Sequence, residues 1–413
     1  MRLFMSVMLA AALSTGWAET TVSDVVVRQR WPWSEKVDVT FTLTGEKSDV
    51  DVYATCDQFR NDGTMPSQHQ VLLGTVLEAM PGANRFTWDP AASSWAGKTL
   101  TGFSVTLLPA SSASRTYLIV DLVKGGYEFA GAAPDGGWPT ADKGGRMVFR
   151  RIPAGTYTNG TDSAALTKMN NGSTPSASDA WREREVAFSS DCYVGVFQMT
   201  GGQYNRIMDE TKYSGGDLMK PAQVSYDALR GSTADGIDWP ATKYLAASNS
   251  VVAKLRAKVG GNLLIDLCAD EQWEVAARAG TRTYWTNGGV YGEDVSAWTG
   301  YVDKIAIWKR NTTVEVGCKD PNPWGLYDTV GNLREWTLDK STGIPGGTVD
   351  TAPRTDPVGP KEGANRVYRG WVMQVSPPLC YMVPASRNDA PPDTAAVSVR
   401  FCIHLNPLKF TER

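Results

Sequence analysis

The stretch Pro321-Asn322-Pro323-Trp324-Gly325-Leu326-Tyr327-Asp328-Thr329-Val330-Gly331-Asn332-Leu333-Arg334-Glu335-Trp336 decides how this chain is read. Its opening cluster of Pro, Asn and Gly cannot propagate a helix, because proline lacks a donor and Asn and Gly favour turn conformations. Asp328 and Glu335 then stand on either side of a Gly331-Asn332 turn. Two carboxylates with backbone carbonyls between them suit a hard cation such as Ca²⁺, which takes about six to eight oxygen ligands. The same residues also have a plainer reading, in which Asp328 caps a turn and Glu335 pairs with an arginine.

Outward from this stretch, six further segments carry special residues in a fixed order. Met147-Val148-Phe149-Arg150-Arg151-Ile152-Pro153-Ala154-Gly155-Thr156-Tyr157 reads as a strand entering a Gly turn. Val194 to Thr200, followed by Tyr204, reads as a strand and a helix start, with Thr200 as N-cap of a helix through Met208. In Pro221 to Ala228, Ser225 caps the next helix. In Asp266 to Gly280, Trp273, Ala276 and Ala277 fall on one helical face and Gly280 stops the helix. Arg366-Val367-Tyr368-Arg369-Gly370 and Ser398-Val399-Arg400 complete the series.

Together these segments resemble the signature of the formylglycine-generating enzyme and sulfatase-modifying factor family. The resemblance implies an irregular α+β domain related in fold to C-type lectins, rich in Gly-containing loops. It also implies a structural Ca²⁺ held by Asp328, the carbonyls of Gly331 and Leu333, and Glu335. Active members oxidise a substrate cysteine with O₂ and Cu(I), and two thiolates of a C-x-x-x-x-C pair hold that soft metal. Mapped onto this chain, the second of those positions is Cys380 and the first is Val375. One thiolate beside a valine cannot supply two-sulfur coordination, nor a dithiol redox cycle. The family's Gly-Gly-Ser here is Gly370-Trp371-Val372, and Ser376-Pro377-Pro378 stiffens the loop that follows.

The rest of the chemistry is bounded by what is scarce. The chain has two histidines, His69 and His404, which excludes three-histidine iron and argues against a Ser-His-Asp or zinc hydrolase. Both histidines read as ordinary surface residues. Asp270-Glu271 reads as a solvated helix start rather than an acid–base pair. With 41 Lys and Arg against 44 Asp and Glu, the net charge of −3 offers no footprint for nucleic acid or an anionic membrane. The six cysteines lack C-x-x-C spacing, and a Cys380–Cys402 disulfide is one pairing that export would permit.

Met1-Arg2, the apolar run Leu3 to Leu13 and the small-residue end at Ala18 read as a secretory signal peptide, residues 1–18. The run is too short to span a bilayer, so an exported protein, periplasmic or extracellular, is expected. Residues 19–124 alternate apolar and polar, as in Val37, Val39, Phe41 and Leu43, over about seven short strands through Tyr117 to Leu122. That pattern predicts an immunoglobulin- or fibronectin-like β-sandwich. In Arg28 to Trp33 the tryptophans cover one end of the sandwich and Pro32 guards an edge. A Gly/Pro-rich linker follows at 125–145, the family-like domain at 146–406 and a short tail at 407–413. The expected function is that of a catalytically divergent, secreted sulfatase-modifying-factor-like protein, a scaffold or binding module for an unknown protein or carbohydrate. The alternative is a formylglycine-generating oxidoreductase using copper at Cys380, with its second thiol relocated to Cys268, Cys318 or Cys402.

Overall fold

The computed structural model describes residues 3–5, 20–56, 71–90, 95, 97–170, 182–261, 263–290, 295–342, 352–371 and 378–405. Apart from the backbone of Leu3–Met5, the expected signal peptide lies outside these residues, as do His69, Val375 and the tail 407–413. Among the described residues no helix is long and apolar enough to cross a membrane. The chain divides into two compact units, residues 1–116 and 117–413.

The first unit is built of strands. β1 (Leu3–Met5), β4 (Ser48–Thr55), β5 (Val71–Ala79) and β7 (Leu100–Ala110) form a sheet in the order β1-β7-β4-β5, and β2 (Thr21–Gln29), β3 (Val37–Thr44) and β6 (Gly82–Trp88) form a second in the order β2-β3-β6. Burial alternates along β3 as the sequence requires: Val37, Val39, Phe41 and Leu43 are buried and share one apolar cluster with Val50, Val52, Trp88 and Phe103. Trp33 departs from expectation. It is 86% exposed, on the turn after β2, and covers no part of that core.

The run Tyr117 to Leu122, read from sequence as the last strand of the first domain, is placed differently. β8 (Tyr117–Asp121) pairs with β9 (Tyr127–Ala130) and β10 (Arg146–Ile152), inside the second unit. Its residues Tyr117 to Val120 are all buried, which is the mark of a central strand covered on both faces rather than an alternating one. The presumed linker accordingly contains β9.

The second unit is mixed α+β. Its largest sheet orders β14-β20-β13-β10-β8-β9, where β13 is Cys192–Gly195, β14 is Ile265–Leu267 and β20 is Phe401–His404. A three-stranded sheet holds β11 (Gly155–Asn159), β12 (Arg184–Phe188) and β16 (Arg354–Thr355). A four-stranded one orders β18 (Arg387–Ala390), β17 (Asn365–Arg369), β15 (Glu335–Ser341) and β19 (Ser398–Val399). The helices are short and capped where the sequence places the caps. Thr200 and Gln203 form a reciprocal capping box on Gly201–Met208, and the Ser225 hydroxyl accepts from the Ala228 amide at 3.2 Å. The Asp270–Arg278 helix ends at Ala279 and Gly280, both left-handed. It is buried on every side, not on one face.

Candidate functional site

The segment from Pro321 to Trp336 is a knot of turns tied to its neighbours by polar side chains. Asn322 donates from Nδ2 to the Ala276 and Ala277 carbonyls at 2.8 and 3.0 Å, satisfying the end of the Asp270–Arg278 helix. Its Oδ1 accepts from the amides of Trp324 and Leu326, which closes the turn. Gly331 has φ 85°, and a Cβ there would lie 2.5 Å from the Ile307 carbonyl oxygen, so the backbone requires glycine. Asn332 follows at φ 56°, its amide donating to Ile307 O and its side chain bonded to both backbone groups of Val314.

Glu335 begins β15 fully buried. Its Oε1 accepts from Gln198 Nε2 at 2.8 Å and Arg400 Nη2 at 2.9 Å. Its Oε2 accepts from Trp273 Nε1 at 2.5 Å and Arg400 Nε at 3.1 Å. Gln198 Nε2 also donates to the Leu333 carbonyl at 2.5 Å. Arg400 spends its remaining N–H groups on the carbonyls of Gly195, Val196 and Tyr327. The motif's last carboxylate is thereby the hub of a buried network joining β13, β15 and the start of β20.

Asp328 is also buried, at φ 54°, but differently served. Its Oδ2 accepts from the Gly317 amide at 2.7 Å, and Oδ1 has no hydrogen-bond partner among the described residues. Burial pushes this carboxyl up to about 6; the Gly317 amide and Arg400 oppose the rise, and the nearby Glu335 adds to it. A shared Ca²⁺ cage needs free oxygen lone pairs facing one point. Asp328 retains one, whereas Glu335 meets only N–H donors and one of them is a guanidinium, so the set of Asp328, Gly331, Leu333 and Glu335 does not fit the ion as a group. No group of three or more Asp, Glu, His or Cys among the described residues is placed to hold a metal.

Cys380 lies in a short turn, Leu379–Tyr381, and is completely buried. Its apolar cluster includes Trp285, Trp298, Met382 and Val383 and no other cysteine. Burial pushes its thiol up to about 12. Trp371 stacks on the adjacent Tyr381 with ring centroids 4.3 Å apart. The other candidate thiols are elsewhere. Cys268 and Cys402 gather with Cys192 at β13, β14 and β20, Cys402 interacting with both, while Cys318 is exposed. All six cysteines are free, which corrects the Cys380–Cys402 pairing: the two belong to different packing clusters.

A family model described as sulfatase-modifying factor enzyme 1-like domain matches residues 140–402. The chain belongs to this family. The formylglycine-generating enzyme of Thermomonospora curvata is 31% identical over 151 residues, covering 34% of this chain and 50% of that protein. This chain thus spans half the length of that relative. The formylglycine-generating enzyme of Bos taurus is 25% identical over 292 residues, covering 60% and 72%. Among solved structures, Treponema denticola variable protein 1 is 18% identical at a TM-score of 0.45, covering 62% of this chain and 95% of that one.

Within the sulfatase-modifying-factor domain, two readings from sequence need correction. Asp270 and Glu271 are not a solvated helix start but the anionic centre of a buried network. Arg184 grips Glu271 with Nε and Nη2 at 2.7 and 2.9 Å, Arg369 Nη1 lies 3.0 Å from Glu274, and Arg387 Nη2 lies 3.0 Å from Asp270. Burial alone would raise the Glu271 carboxyl; Arg184 overrides it and brings it down to about 2. The partners come from β12, β17 and β18, so no local pattern could have announced them. His404 is likewise buried on β20, its Nε2 3.1 Å from the Leu267 carbonyl, and burial pushes its imidazole down to about 4. It is a neutral core residue donating from Nε2.

Proposed function

We propose that this chain is a catalytically divergent sulfatase-modifying-factor protein that works as an exported binding or scaffold module, its immunoglobulin-like first unit serving as a tether. The observation that carries this reading is the setting of Cys380. A Cu(I)-dependent oxidase needs two thiolates within reach of one metal and of solvent. Here the thiol is sealed among tryptophans, its pKa is pushed up to about 12, and no second cysteine shares its cluster. The indole of Trp371, packed on Tyr381, adds bulk beside it. The buried Glu335–Arg400 pair supports the framework role of the signature segment, because its hydrogen bonds tie that segment to β13, to the Asp270–Arg278 helix through Trp273, and to the loop residues Val196 and Gln198.

The test is incubation of the full chain with Cu(I), O₂ and a cysteine-containing sulfatase peptide, followed by peptide mass. No conversion to formylglycine is expected. Conversion that is abolished by Cys380→Ser would overturn the reading and restore the oxidoreductase alternative.

A further inference from the structure

A groove of about 230 Å³ opens in the second unit between β11 and the C-terminal end of the Asp270–Arg278 helix. We propose that it binds one acidic sugar unit, a ring-sized polyhydroxylated carboxylate of the hexuronate class. The inference deepens the binding-module reading and rests on it for biological sense, although binding in the groove does not require Cys380 to be inert.

Most of the lining side chains are polar. Thr156, Tyr157, Thr158 and Asn159 contribute from β11, and Thr281 from the turn beyond the helix; Val275 is the one apolar side chain. Such a surface suits a ligand that presents hydroxyls to these side chains and one apolar ring face to Tyr157 and Val275. Tyr157 supplies a rigid flat wall. Its hydroxyl donates to the Pro153 carbonyl at 2.6 Å, and its ring meets Trp324 edge to face at 6.0 Å. Its phenol is pushed up to about 12 by burial, so the wall stays neutral.

The arginine N–H groups point to an acid. Arg278 is buried, with Nε 2.8 Å from Glu274 Oε1 and Nη2 on the Gly160 carbonyl; its Nη1 carries no bond among the described residues. Arg282 is exposed at the rim and makes no ion pair among the described residues. Both arginines line the same small groove, and the unbonded Nη1 of Arg278 together with Arg282 offers the N–H donors that a carboxylate takes well. Glu185, exposed in the same lining, disfavours a dianionic phosphate or sulfate and can accept from ring hydroxyls. The volume fits a single ring and not a chain of them.

Titration calorimetry of the full chain with glucuronate, glucose and acetate tests this. Glucuronate is expected to bind more tightly than either, since it alone uses both the acid and the hydroxyl contacts. Arg282→Ala should weaken glucuronate by about tenfold and leave glucose unchanged, and Arg282→Lys should recover part of the loss. Arg282 is exposed, so these variants fold. No heat with glucuronate, or equal affinity in Arg282→Ala, would overturn the proposal, as would tighter binding of a peptide C-terminal carboxylate. The readout is independent of oxidase activity. Glucuronate binding by an active oxidase would sink the divergent reading alone, and absence of binding by an inactive chain would sink this one alone.

Discussion

Arg400 closes on Glu335 with Nη2 2.9 Å and Nε 3.1 Å from opposite carboxylate oxygens, both side chains essentially without solvent exposure. The pair joins the last strand region of the domain to the end of its most distinctive segment. A buried ion pair is not in itself a gain over well-packed apolar groups, but breaking one strands a charge.

Arg400→Met is therefore expected to cost about 3–5 kcal/mol in denaturant unfolding, since it leaves Glu335 ionised and buried with only Gln198 and Trp273. Adding Glu335→Gln should recover part of that loss. If the double variant is as unstable as the sum of the two single ones, Arg400 and Glu335 are not coupled.

Asp328 predicts a pH dependence of definite sign. Its folded pKa of about 6 stands above the ordinary aspartate value of 3.8, so between those values the folded state holds a proton that the unfolded state has released. Stability from this group is full below pH 3.8 and is lost as pH rises through 6, by about 3 kcal/mol. Asp328→Asn keeps an oxygen for the Gly317 amide and removes the titration. The wild-type-minus-variant stability difference should fall between pH 4 and 6 and be flat above pH 7. Asp339, also pushed up to about 6 by burial and by Asp270, and His404 titrate in both proteins and cancel in that difference. A flat difference throughout would mean that Asp328 meets a cation or another partner in solution.

The fold of the second unit was legible because its signals are local. Thr200 and Ser225 announce caps by residue type, and Gly331 announces a turn that only glycine can enter. The Asp328–Glu335 spacing was legible as a pair of carboxylates but not as to purpose. Glu335's partners Gln198, Trp273 and Arg400 lie 137, 62 and 65 residues away, so whether it faced a cation or an arginine was a question about other segments. The arginine won. The same distance hid the network at Asp270 and Glu271, where a helix start with two acids reads as solvated until Arg184, Arg369 and Arg387 arrive from three strands. Strand Tyr117–Asp121 was visible as a strand and misassigned to a sheet, because alternation reports exposure and not which neighbour supplies the hydrogen bonds.

Removal of divalent metal follows from the geometry at Glu335. With both of its oxygens committed to donors and the Leu333 carbonyl taken by Gln198, thermal melts in excess chelator and in added Ca²⁺ are expected to coincide. A Tm that falls in chelator would show that the cluster rearranges to admit the ion, since a ligand confined to the folded state raises stability in proportion to its occupancy.

The thiols offer the most direct check on Cys380. Cys56, Cys192, Cys268, Cys380 and Cys402 are buried and Cys318 is exposed, so a colorimetric disulfide reagent should titrate one equivalent in the native chain and six in denaturant. That one equivalent should vanish in Cys318→Ser. Its rate should climb through alkaline pH, because partial burial, with Glu315 and Asp328 adding to it, raises the Cys318 thiol above its ordinary value. Cys380 reacts only through the thiolate, and a thiol pushed up to about 12 in the apolar cluster of Trp285 and Trp298 has almost none at neutral pH. A second native equivalent that disappears in Cys380→Ser would place that sulfur within reach of solvent, and with it the case for an oxidase.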